Sequence, residues 1–226
     1  MRPEPAARIP WAVVFMPLVL QYAATILLSV LLQPPSDTAQ QVYSIRFGLV
    51  LLFSYAVLVG ATVLIADRAG DVRQVLALRP VAPLRAIAYA LAGLVAAFLA
   101  ARLLEPVFHG IRAQGFEPDP FPGGNYHAAR LALVAVGFAV AAPIAEELYF
   151  RGLVFGRGAA HGPVVAVVVQ AVVFGAAHLT LDAFPVLTLY GLVFGLLRLW
   201  TRSIIPGALA HGLNNGLALA FAVAAA

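Results

Sequence analysis

Long apolar runs alternate with short polar stretches along this chain, and the runs are too long for strands and too evenly apolar for one-sided helices. Residues 11–32 and 47–66 carry no formal charge. Residues 86–101 form a shorter run, bracketed by Arg85 and Arg102, whose aliphatic stems can carry their charge out to an interface. Three more runs occupy 131–149, 164–181 and 183–200, and a last one occupies 203–226. A hydrocarbon layer about 30 Å thick is crossed by a helix of roughly 20 apolar residues. Each run therefore predicts one crossing: about seven in all, with six to eight as the range set by the later run ends.

Where water cannot reach the backbone, helices satisfy their own N–H and C=O groups, so the expected fold is all-α, a polytopic transmembrane helix bundle. Residues 1–226 read as a single membrane-embedded domain. The first run follows Arg2 and Arg8 as a signal peptide would, but it is longer than one and lacks a small-residue cleavage site. A retained first helix is expected. The longest polar stretch, 104–130, contains "PDPFPGG" and predicts an irregular outer loop.

Composition sharpens this picture. Of 226 residues, 62% are hydrophobic and 11% charged, which excludes an ordinary water-soluble domain. The formal net charge of +4 comes from arginines placed in alternate loops: Arg2 and Arg8, then Arg68 to Arg85, then Arg151 and Arg157, then Arg198 and Arg202. Basic residues gather on the cytoplasmic side, so the N-terminus is expected there. No basic run of the kind that tracks phosphates is present, and no nucleic-acid partner is expected. The chain has no cysteine, which excludes thiol catalysis and thiolate metal sites. All 14 of its basic residues are arginine, so lysine nucleophiles are excluded too. The arginine bias and the chain's size point to a prokaryotic cytoplasmic membrane.

Candidate chemistry is concentrated after Arg130. Before it the runs hold weakly polar groups such as Gln21, Thr25 and Ser29; after it come Glu146, Glu147, Gln170, His178, His211, Asn214 and Asn215. An ionisable side chain inside a membrane helix costs about 2.5 to 3.5 kcal/mol on insertion scales, so each is a functional hypothesis by default. In "EELYFR", Glu147 and Arg151 stand four apart with the acid first, the favourable order for a helical ion pair. Glu146 projects about 100° away and is free to face something else. In "FGAAH", Phe174 shares a face with His178 and sets an aromatic wall beside the imidazole. In "HGLNN", His211 shares a face with Asn215.

Each pair has a plain structural reading: a helix-end ion pair, or hydrogen bonds between helices. "GLVFG" at 191–195 reads as helix packing, Asn214 as a contact between helices, and His109, His127 and His161 as loop residues without a role. Together, two carboxylates, two imidazoles and an amide are what water attack on an amide carbonyl requires. One group takes the proton, and paired donors stabilise the oxyanion.

"PIAEELYFRG", "VVFGAAHL" and "GALAHGLNNGLALA" resemble, in order and spacing, the EExxxR, FxxxH and HxxxN motifs of one known family. It is the CAAX prenyl protease and bacteriocin-processing (CPBP, or Abi) family of glutamic intramembrane proteases. The resemblance implies a protease core within 131–219 and a polar cavity open toward the cytoplasm and the lipid. It implies that Glu146 activates water with His178, and that His211 and Asn215 form the oxyanion hole. Glu147 takes part in the site, with Arg151 and Phe174 ordering it. Arg202 departs from the glycine usual at its position.

The implied reaction hydrolyses a peptide bond of a membrane-anchored protein or peptide precursor, without a cofactor. Zinc held by the two His and two Glu is the minority alternative, against which stands the lack of HExxH. Two other classes remain open. One is a non-catalytic membrane protein of the same fold, acting in peptide-toxin immunity or as a scaffold. The other is a proton-coupled transporter, for which the chain lacks repeats.

Overall fold

The computed structural model describes residues 5–32, 45–108 and 128–224, and every long element among them is a helix. Six helices are long and apolar enough to cross a membrane. The first is α1 (Trp11–Leu31), the second α2 (Ile45–Ala69). A single turn, α3 (Val72–Val75), precedes α4 (Pro83–Phe108). One long helix, α5, then runs over 128–158 and ends in a 3-10 turn, Ala159–His161. It is followed by α6 (Pro163–Ala176), α7 (Phe184–Thr201) and α8 (Ile205–Ala224).

Two expected runs change shape. The fourth does not stop at 149 but continues as helix to 158, so Glu146 and Glu147 lie inside α5 rather than at its end. The fifth does not reach 181: α6 has 14 residues, below the length of a crossing, and His178 sits in the turn beyond its C-terminus. The reversal between α5 and α6 falls at Gly162, whose φ of 108° suits glycine, and Pro163 opens α6 with a fixed φ. Glu146 and His178 stand equally far along the chain on either side of that turn. The expected 104–130 loop begins later, since α4 runs to Phe108; "PDPFPGG", His109 and His127 lie outside the described residues.

α5 is the axis of the bundle. It packs against α2, α6 and α8, while α1 pairs with α2 and α4 packs against α7 and α8. α6 and α7 approach closest, because glycines remove the side chains between them. A Cβ on Gly191 would lie 2.7 Å from the Ala171 Cα, and the Gln170 amide fills the space over Gly195. Gln170 Nε2 donates to the carbonyls of Val167 and Gly191, 2.8 Å each, and so ties the pair.

The end of the bundle that carries Arg73, Arg79 and Arg157 is packed. There Val75, Leu76 and Ala77 are buried, Leu76 lies against Gly152, and Ile204 N–H donates to the Ala77 carbonyl. That end is therefore filled beside Gly152 by the 72–78 segment.

Candidate active site

The site is built on an irregular stretch of α5. Residues Val136–Ala141 and Glu147–Val154 wind as π-helix, the wider turn that often marks functional positions. Proline explains the first widening. Pro143 has no N–H, and the Ala142 N–H bonds back to the Gly137 carbonyl, so the helix supplies no i+5 donor for the Phe138 carbonyl. Asn215 of α8 supplies one: its Nδ2 donates to that carbonyl at 2.9 Å. One of the two Asn215 N–H groups is thereby engaged in joining α8 to α5.

The Glu147–Arg151 pair forms wholly inside the protein. Arg151 Nη1 lies 2.9 Å from Glu147 Oε1, and both side chains are 0% exposed. The guanidinium rests over the rings of Phe174, at 4.3 Å, and Phe194, at 5.2 Å. An isolated charge in such a place is costly; opposite charge together with aromatic faces is what makes it tenable. Glu147 also needs Gly207, where an added Cβ would come within 2.6 Å of its Oε2.

His211 stands between the two acids. Its Nδ1 is 3.4 Å from Glu147 Oε1 and its Nε2 is 3.8 Å from Glu146 Oε2, with the ring stacked on Phe194 at 5.2 Å. Opposite ring nitrogens thus face opposite carboxylates, so the lone pairs do not converge on one point. Among the described residues no group of three His, Cys, Asp or Glu forms a metal-binding cluster.

Glu146, 8% exposed, uses its oxygens differently. Oε1 accepts from the Tyr55 hydroxyl at 2.9 Å; Oε2 is buried without a hydrogen-bond partner and faces His211. His178 is exposed, its ring edge-on to Phe174 at 4.9 Å. Its Nδ1 is 2.8 Å from the Phe174 carbonyl. A carbonyl only accepts, so the hydrogen is on Nδ1 and Nε2 is the free end of the ring.

The fold therefore gathers Glu146, Glu147, Arg151, Phe174 and His211 in one buried cluster. Asn215 sits one helical turn above His211, and His178 at the rim. Sequence reading missed Tyr55, Phe194 and Gly207. Tyr55 carried a signal: it lies midway along α2, away from the interfaces that tyrosines of membrane proteins favour, where its hydroxyl needs a partner.

Residues 128–217 match the family model described as type II CAAX prenyl endopeptidase Rce1-like. No curated protein and no solved structure matches the chain.

Proposed function

From the likeness of residues 128–217 to the CAAX prenyl endopeptidase family, we propose that the chain is an intramembrane endopeptidase in which Glu146 activates water. The observation that carries this reading is the division of labour at Glu146, with Oε1 held by Tyr55 and Oε2 buried, unpartnered and turned to His211. Oε2 takes a proton from water, and the water oxygen bonds to the carbonyl carbon of the scissile amide. His178, with its free Nε2 on the exposed side, is the second partner of that water. The oxyanion is stabilised by His211 Nε2–H and by the Asn215 N–H that the Phe138 carbonyl leaves free. When the C–N bond breaks, the departing amine takes the proton from Glu146. Glu147 and Arg151 hold His211 from behind.

Exposure supports an approach from the His178 end. It rises from Arg151 and Glu147, both 0%, through His211 at 5% and Glu146 at 8%, to the exposed His178. The substrate is a membrane-associated protein or peptide precursor, which reaches the site within the bilayer. The N-terminus faces the cytoplasm, and the membrane is that of a prokaryote.

The test compares the protein termini in membranes of cells carrying the native chain with those of cells carrying Glu146→Gln. A general base contributes on the order of 10²- to 10⁴-fold, so a defined set of termini is expected to vanish. Unchanged termini, with the variant rescuing a deletion phenotype, would replace this reading by the non-catalytic one.

A further inference from the structure

The first two helices lie outside the matched stretch 128–217, yet each reaches the site with a tyrosine. From α2, Tyr55 donates its hydroxyl to Glu146 Oε1 at 2.9 Å. From α1, Tyr22 donates to the carbonyl of Ala177, the residue before His178. One residue before Tyr55, the Ser54 Oγ donates to the Val50 carbonyl at 2.7 Å and accepts from Thr25 Oγ1 at 2.8 Å. That chain locks the rotation of α2 against α1 and so the direction in which Tyr55 points.

A glutamate side chain has three rotatable bonds, the last of them broad, and burial in an apolar bundle does not by itself choose among its rotamers. Arg151 is committed to Glu147, and His211 Nε2 stands 3.8 Å from Glu146, beyond hydrogen-bond range. Among the described residues the Tyr55 hydroxyl is the donor that Glu146 has. We infer that Tyr55 is a positioning residue of this active site: by occupying Oε1 it fixes the Glu146 carboxylate and assigns Oε2, beside His211, as the oxygen that receives the proton from water. The first two helices are then part of the catalytic machinery, and the matched stretch alone is an incomplete site.

This inference rests on the glutamate reading above, and its test separates the two. The probe is a synthetic peptide spanning a terminus lost with Glu146→Gln, cut by the purified full-length chain in liposomes. Hydrogen bonds to charged groups are worth a factor of about 10 to 100, so Tyr55→Phe is expected to lower kcat by about that factor while KM holds. Tyr89→Phe, on the exposed face of α4, is the control and is expected to change neither.

Infrared spectra of protein labelled with ¹³C-glutamate give a readout independent of turnover. The carboxylate band that disappears in Glu146→Gln is expected to shift in Tyr55→Phe. A native kcat with an unshifted band in Tyr55→Phe would overturn the inference and leave the protease reading standing. If Glu146→Gln itself cuts the peptide at the native rate, the reading of Glu146 as the base fails first. The position of the band then decides alone whether Tyr55 holds Glu146.

Discussion

The first helix and the long α5 are nearly equal in apolarity, yet far less of the first than of the second is buried inside the protein. α1 turns Ile26, Leu27, Val30 and Leu31 outward, each at least 59% exposed. α5 buries Ala145, Tyr149, Phe150, Leu153 and Val154 together with two acids and an arginine. To a leucine, lipid and protein interior are equivalent solvents, so hydropathy places a helix in the membrane without saying which neighbour it will have. Small residues and polar groups make that choice. α1 buries only Val14 and Pro17 and is tied to its neighbours through Thr25 and Tyr22, which bond to Ser54 and Ala177. α5 meets α6 and α8 at glycines and with a charged cluster.

The contrast is sharpest at Arg151. Arg151→Leu leaves Glu147 as an uncompensated buried charge and is expected to lower stability by about 3 to 5 kcal/mol, read from unfolding in a detergent titration. Adding Glu147→Leu to the same chain is expected to recover much of that loss. A double variant no more stable than the single one would show that Arg151 acts through its aromatic neighbours alone.

Next comes Gly191, where a Cβ would press on the Ala171 backbone. Gly191→Ala is expected to cost about 1 to 3 kcal/mol by forcing α6 and α7 apart. The smallest effect is expected on the lipid side. A Cβ on Gly60 of α2 meets nothing within 4 Å, so Gly60→Ala is expected to stabilise by about 0.5 to 1 kcal/mol through helix propensity. Equal responses of Gly60 and Gly191 in the same titration would break the distinction between lipid-facing and core-facing glycines.

Within the site, legibility followed the helix pitch. Glu147 with Arg151 and Phe174 with His178 are four residues apart, and each pair meets in the structure as local geometry dictates. His211 and Asn215 also share a face, but Asn215 spends an N–H on the carbonyl that Pro143 leaves without a donor, a demand that arises on another helix. The partner of Glu146 was hidden for the same reason. Tyr55 is 91 positions away in the chain, on a helix whose composition announces only that it lies in lipid.

The sequence by itself determined that this chain is an all-α membrane bundle, since apolar runs of that length have no other way to satisfy their backbone. It also determined which side chains stand above one another on each helix, because 3.6 residues per turn is a local property. Tertiary structure decided the rest: that α6 ends short of a crossing, that the 72–78 segment packs against Gly152, and that His211 stands between the two acids with His178 at the rim. Those outcomes depend on the depth and rotation of one helix against another. They are set by where glycines let backbones approach and where buried donors find acceptors, neither of which is written in the hydropathy of a single run.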